Sequence, residues 1–414
     1  MLLCIRNFWK PTLLTVAAAI FLSAAWQKRG TISDYLRYLE VIDITPVLYD
    51  GEQVMASEIF SDFRYIELEA NEESMIRSIQ DIVVHNGNIF ILESSGKVLR
   101  FDETGCFLNR IGSTGRGPGE FSQTNINLNI LRDQNQIAVT DHTLKKVNIF
   151  EFDGKHVTSF TVGCYPLYVA SVNNHLLSYT GWLHAQFSNN YAISVTTLKG
   201  KPSGSLLPVE RFIPRGMAIL WSHIADGYYY FRDSLSLRDA NVDTIYRIVN
   251  KDRIFPRYYL SAGKKHLTWE KRYNTGDPDR TIRKNSVYFN GFVETAGHIF
   301  LGARVIDVPG YFLYDKAKKA VRNISPPSGP GGIASIRGFT NDIDGGIPFW
   351  PAGYYSDKEL LAYFEPRFLR GHFRNITILP QKHSYDSKKH LSLKERIERS
   401  DINSNPWIML AKLK

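Results

Sequence analysis

The sequence is poor in cysteine. Three thiols in 414 residues cannot build a disulfide framework, so the fold must be held by burial and hydrogen bonding. Long apolar runs are nearly absent. The one continuous stretch, residues 12–25 (TLLTVAAAIFLSAA), falls short of the ~20 apolar residues a spanning helix needs, and a multi-span membrane protein is excluded. No large charge excess is present: 50 Lys and Arg stand against 41 Asp and Glu, a net of +9. With 43% hydrophobic and 22% charged residues, the chain is neither disordered nor collagen-like. No G-x-S-x-G elbow and no H-x-x-x-H spacing occurs. The thiols have no histidine placed beside them in sequence, so cysteine nucleophile chemistry has no support. What is abundant is aromatic: 22 Tyr, 24 Phe and 7 Trp, residue types that suit pleated, half-buried surfaces.

The apolar stretch is an address. Arg6 and Lys10 precede it and Ser23-Ala24-Ala25 close it. A charged start, a short apolar run and a small-residue exit describe a secretory signal. Residues 1–25 are expected to be a signal peptide, with an uncleaved N-terminal anchor as the alternative. A lipoprotein signal would need Cys after the small residues, and Trp26 stands there. Residues 26–57 then read as an N-terminal extension. Export would permit a bond between Cys106 and Cys164, but two separate thiols are the simpler expectation.

Self-similarity organises the rest. NIFILE (88–93) is followed by Val98–Asp102, Gly105 and Phe107-Leu108. QIAVTD (136–141) is followed by Lys146–Phe150, Gly154 and Val157. Each copy reads as strand, polar turn, strand, glycine turn, strand, with a weaker strand run before it at Asp81–His85 or Asn127–Leu131. Looser copies follow, from Tyr168, Gly227, His298 and Gly353 onwards. Four-stranded units of ~40–50 residues predict an all-β fold, a six-bladed β-propeller spanning 58–414. The expected blades are 75–113, 122–163, 164–205, 216–262, 284–325 and 338–414. The C-terminal strand and an N-terminal one near 58–70 share the last blade. Residues 388–400 are the best helix candidate, with Leu391, Leu393 and Ile397 on a partial apolar face and Lys394–Glu398 as an i,i+4 pair.

Residues 110–121, Arg-Ile-Gly-Ser-Thr-Gly-Arg-Gly-Pro-Gly-Glu-Phe, resemble the linking segment of NHL-type propeller repeats. Together with Asp243–Ile248 (DTIYRI), Asp342–Pro351 (DIDGGIPFWP) and Asn405-Pro406 before the closing strand, they are similar to the exported six-bladed β-propellers of the Gram-negative envelope. The resemblance implies the fold and a periplasmic or outer-membrane location. It implies no established activity.

Candidate residues follow from this frame. Gly112, Gly115, Gly117, Pro118 and Gly119 read as a structural turn, because no helix N-terminus follows them to complete a phosphate cradle. Glu93, Asp141 and Asp233 are read as acids at the end of second strands, accepting backbone N–H groups. Arg77, Trp182, Trp221, Asn290, Phe349 and Trp350 are the candidate ligand-binding set, with planar rings that stack on a glycan or peptide. Against it stands inter-blade packing, which also uses large rings. The leading expectation is a non-enzymatic binding propeller of the envelope, with no cofactor, whose partner is a glycan, a peptide or an envelope protein. Nucleic acid is not expected, and membrane contact only through an uncleaved N-terminus.

Two alternatives remain. The first is a lactonase- or lyase-like enzyme with Ca or Zn held by Asn290, Glu294, Asp342 and Asp344, as similarity to calcium-holding lactonase propellers implies. The second is a structural subunit of an envelope complex, with the tail helix as the docking element. Residues 381–414 carry 8 Lys or Arg against 4 Asp or Glu, a basic tail that favours anionic surfaces.

Overall fold

Short, β-branched and aromatic strands joined by glycine and asparagine turns dominate the computed structural model. It describes residues 39–181, 185, 189–209, 227–239, 242–268, 285–306, 308–324, 338–375 and 385–414. The expected signal, Trp182 and Trp221 lie outside the described residues.

In chain order, β1 is Glu40–Asp43 and β2 is Phe60–Glu67. The first repeat supplies β3 (Ile79–His85), β4 (Asn88–Glu93), β5 (Val98–Phe101) and β6 (Phe107–Arg110). A small parallel pair follows, β7 (Ser113–Thr114) with β8 (Glu120–Phe121). The second repeat supplies β9 (Ile126–Leu131), β10 (Gln136–Asp141), β11 (Lys146–Glu151) and β12 (His156–Thr161). The third has β13 (Tyr168–Val172), β14 (His175–Tyr179), β15 (Tyr191–Thr197) and β16 (Pro202–Pro208). The fourth has β17 (Gly227–Phe231), β18 (Ser234–Asp239), β19 (Thr244–Asn250) and β20 (Arg253–Ser261), and the fifth β21 (Val287–Glu294), β22 (His298–Val305), β23 (Val308–Asp315) and β24 (Ala320–Asn323). The last has β25 (Gly353–Ser356), β26 (Glu359–Phe364) and β27 (Trp407–Leu413), with α1 (Pro366–Asn375) and α2 (Ser387–Arg399) between β26 and β27.

The fold is a six-bladed β-propeller. Five blades keep chain order from first strand to fourth, and the sixth runs β25-β26-β27-β2. In that blade the two ends of the chain meet antiparallel: Arg64 faces Leu410 and Ile66 faces Ile408. The fourth blade carries a fifth strand that the repeat pattern did not announce. β1 adds to β20 in parallel, Glu40 opposite Tyr258 and Asp43 opposite Ser261.

Cα packing separates two compact units. One comprises the described residues up to Leu48, Val162–Asn290 and Ala303–Val308. Its core joins Leu177, Tyr179, Ile193 and Val195 to Leu235, Leu237 and Ile248. The other comprises Tyr49–Thr161, Gly291–Gly302 and Pro309–Lys414. In it Ile89, Ile91 and Leu99 of one blade pack against Leu361, Ile408 and Leu410 of another. Phe90, Leu92 and Val98, on the opposite face, pack against Leu128, Ile137 and Val139. A strand points successive side chains to opposite faces, and in a propeller both faces meet a neighbouring blade. That is why NIFILE is buried at five consecutive positions rather than at alternate ones. Cys106 is exposed and Cys164 buried, both as free thiols.

Candidate functional site

The glycine-rich link between the first two blades is a packing device. Gly112 (φ +61°) and Gly119 (φ +73°) take left-handed backbone, which side chains with a Cβ resist. Gly117 N–H donates to Glu120 Oε2 at 2.7 Å. Lys146 Nζ donates to the carbonyls of Gly117 (2.7 Å) and Glu120 (2.9 Å). This loop therefore offers oxygen to a cation, the reverse of a phosphate cradle. Pro118 stands between Gly117 and Gly119 in the same turn. Phe121, 1% exposed, meets Phe150 edge-on at 6.4 Å.

Two second-strand acids, Glu93 and Asp141, tie the loop after that strand to the chain leading into the first strand. Glu93, Asp141 and Asp239 end β4, β10 and β18, and all three are fully buried. Glu93 Oε1 accepts Ser94 Oγ at 3.1 Å and the Arg77 N–H at 3.3 Å, and its Oε2 accepts Ser95 N–H at 2.9 Å and the Ser95 hydroxyl. Burial alone would raise this carboxyl, but those hydrogen bonds outweigh it and hold Glu93 below the usual range. Asp141 accepts Ser122 N–H at 2.7 Å and Leu144 N–H at 2.9 Å. Asp233 does not belong to this set. It is exposed in the turn between β17 and β18, and Asp239 holds the equivalent position.

Packing takes two of the aromatic candidates. Phe349 is 0% exposed, wedged 5.1 Å from Phe60 and 5.5 Å from Phe63. A ring with no open face cannot stack on a ligand, so Phe349 is core. Trp350 is half-buried, with Tyr311 at 4.8 Å, Phe300 at 5.8 Å and Phe339 nearly parallel at 6.2 Å. Three rings already pack its indole, and inter-blade packing is its main role. Arg77 and Asn290 are exposed. Arg77 sits four residues before the acid described below.

The carboxylates of the metal alternative are committed elsewhere. Glu294 is 0% exposed, and its Oε1 lies 2.7 Å from Lys316 Nζ. Asp342 accepts the Ser57 N–H (2.9 Å) and hydroxyl (2.5 Å). Asp344 accepts Tyr65 OH at 3.0 Å, Asn341 Nδ2 at 2.7 Å and Gly346 N–H at 2.9 Å. Among the described residues no three His, Cys, Asp or Glu side chains converge. With their oxygens spent on a lysine, a serine and a turn, Glu294, Asp342 and Asp344 do not form a cation site with Asn290.

A group the sequence pattern marked only as part of a strand stands out instead. Asp81 lies at the start of β3, the inner strand of its blade, where the register to β4 shifts. Strand β3 packs against β25 on one side and β9 on the other. The half-buried Asp81 carboxylate accepts Ile82 N–H at 2.9 Å and a backbone N–H of Leu128 on β9. No Lys, Arg or His pairs with it among the described residues. Burial pushes its pKa up to about 6 against the lowering effect of those two bonds. The phenol of Tyr363, at the end of β26, is raised first by burial and then by the charges of Asp81 and Glu365. Glu365 is itself raised by partial burial. A carboxylate, a phenol and a second carboxylate thus share one field beside the inner strands, in a protein whose net charge is +9.

The family described as "Domain of unknown function (DUF4934)" matches residues 39–412. No curated protein matches. Among solved structures, a Bacteroides fragilis protein provisionally described as exported is 18% identical, with a TM-score of 0.66, covering 91% of this chain and 100% of its own. A member of the DUF4221 family from Bacteroides vulgatus is 9% identical with a TM-score of 0.45, covering 86% and 97%. Virginiamycin B lyase from Staphylococcus aureus is 13% identical with a TM-score of 0.38, covering 65% and 76%. At 18% identity the likeness to the Bacteroides fragilis protein is one of fold.

Proposed function

Since this chain belongs to the DUF4934 family and folds as a six-bladed propeller, we propose that it is a non-enzymatic binding module exported to the cell envelope. Export rests on the N-terminal stretch, Arg6 to Ala25. Among the described residues no helix is long and apolar enough to cross a membrane.

The observation that carries the binding reading is Asp81. Folding normally pairs a half-buried carboxylate or leaves it in water, since burying an unpaired charge is costly. Here two backbone N–H groups hold the carboxylate at the inner strand, and among the described residues no cation answers it. Its remaining acceptor capacity suits a ligand that brings N–H, O–H or ammonium donors. A glycan or a peptide does so, and the Tyr363 ring supplies an apolar flank. Arg77 extends the same lead-in to β3.

Glycan and peptide arrays probed with the chain lacking residues 1–25 test this. A hit should weaken ~10–100-fold in Asp81→Ala, the loss of one charge-assisted hydrogen bond. Binding should also fall as pH drops through 6, where the carboxylate is neutralised. A ligand bound equally by Asp81→Ala, or no micromolar ligand on either array, sinks the reading.

A further inference from the structure

The α1–α2 pair interrupts the last blade, and its docking is built on a histidine from each helix. Leu369 and Phe373 of α1 and Leu393 and Ile397 of α2 enter one core with Ile347, Phe349 and Trp407. Arg370 donates to the carbonyls of Glu398 (3.2 Å) and Ser400, which would otherwise be unmet at the end of α2. Asp386 caps the start of α2 by accepting Lys388 and Lys389 N–H. Both helices close over the turn Asn341–Ile347. His390 Nδ1 lies 3.2 Å from the Asp344 carbonyl. Its ring stands 2.8 Å from where a Cβ on Gly345 would be. His372 is hydrogen-bonded to the Gly346 backbone. Its Nε2 is buried with no partner among the described residues.

We propose that α1 and α2 form a histidine-latched cap, which lets go of the Asn341–Ile347 turn when His372 takes a proton. The neutral ring fits: it is hydrogen-bonded to the Gly346 backbone, and its buried Nε2 has no partner among the described residues. A proton on Nε2 would be a buried donor with no acceptor, carrying charge. Burial accordingly holds His372 below the ordinary histidine value. In the released cap the ring is solvated and titrates near ~6.5. Docking is thus at full strength above ~6.5 and is lost as pH falls through the lowered value of the docked state.

The other groups facing the turn do not cancel this. Asp344 is raised by burial, which acts in the opposite sense. Its carboxylate bonds come from Tyr65, Asn341 and Gly346, none of them supplied by the cap. The charges of His390 and Lys389 on α2 do face it and favour its ionised form, and His390→Gln removes the histidine's part of that coupling. His390 faces the turn through a backbone carbonyl, with Tyr385 at 4.9 Å and Phe373 at 5.5 Å. The ion pairs Lys389–Asp62 and Arg396–Glu67, both 2.7 Å, are half-exposed, and pairs of that kind are worth little. Asp386 only caps its own helix. Release has a reach beyond the cap, because the Glu365 carbonyl receives the first-turn N–H groups of Phe368 (2.9 Å) and Leu369 (3.0 Å). Unlatching α1 loosens Glu365 beside Tyr363 and so bears on the Asp81 site.

Hydrogen exchange of the folded chain at pH 7.5 and 5.5, corrected for intrinsic rates, tests the latch. Amides of α1 and α2 should exchange several-fold faster at pH 5.5, up to the ~10-fold, about 1.4 kcal/mol, that one histidine titrating near ~6.5 when released can supply over this interval, while β4 and β10 stay protected. His372→Phe, aromatic and never charged, should abolish the response, and His390→Gln should keep it. His372→Leu serves if the phenylalanine variant does not fold. Equal protection at the two pH values, or an acid response that persists without His372, overturns the proposal.

Discussion

Asp81 holds a charge in surroundings that disfavour it. Its pKa in the folded chain is pushed up to about 6, against ~3.9 for a free aspartate. A raised acid stabilises the fold fully below its unfolded value, and that contribution is lost as pH rises through 6. Asp81→Asn, which keeps an oxygen for a backbone N–H, should therefore stabilise the chain by about 1–2 kcal/mol at pH 7.5, discounting the ~1.4 kcal/mol per unit for partial exposure. At pH 4 the gain should vanish. Urea unfolding at the two pH values checks this, and equal gains would show that burial of charge is not the cause. A variant that gains stability and loses ligand is the pattern expected where a site is maintained against stability. In the sequence Asp81 was visible only as the first residue of a weak strand run. One acid ahead of three β-formers is common, and whether a cation stands beside it is a fact of what surrounds it.

Turns and strands were more legible than sites. Of the glycines in 110–121, Gly112 and Gly119 stand where the backbone is left-handed, and Gly117 does not. At Gly112 a Cβ would lie 2.6 Å from the Phe121 ring and 2.8 Å from Phe150. Gly112→Ala should cost about 2–4 kcal/mol, combining left-handed strain with overpacking, read as a lowered denaturation midpoint. Little loss would mean the link between the first two blades repacks freely. Strand β18 (SLSLRD) escaped the pattern because its polar residues are buried along with its leucines, and that omission shifted the third recurrent acid from Asp239 to Asp233. The helix expected over 388–400 is α2, at Ser387–Arg399, with Leu393 and Ile397 buried. Leu391 is 58% exposed, so the apolar face is narrower than its three residues suggested. The Lys394–Glu398 pair is present at 4.0 Å. Helix α1 was not anticipated, although it is at least as amphipathic as α2, with Leu369 and Phe373 at i,i+4; both enter the same core as Leu393 and Ile397.

At the scale of the molecule, the last blade depends on both ends of the chain. β27 lies between β26 and β2, and Trp407 to Ala411 are buried without a break. Removing residues 406–414 leaves β2 with no neighbour and exposes the Phe60–Phe349 cluster. The truncated chain should show no cooperative unfolding transition and a collapsed near-ultraviolet circular dichroism signal. A cooperative transition in it would mean the blade is completed some other way. Strand period, turn glycines and the 49-residue offset between Phe101 and Phe150 are local properties of the chain. They determined the all-β class and the number of blades, because each blade repeats one short-range pattern; the sharing of the last blade followed from the resemblance to propellers. Which rings become core and which acids find partners was decided only by the tertiary structure. Phe349 meets Phe60 across nearly three hundred residues, and Asp342 meets Ser57 across almost as many. Burial and pairing depend on which distant part of the chain is brought alongside, and no local spacing records what that partner presents.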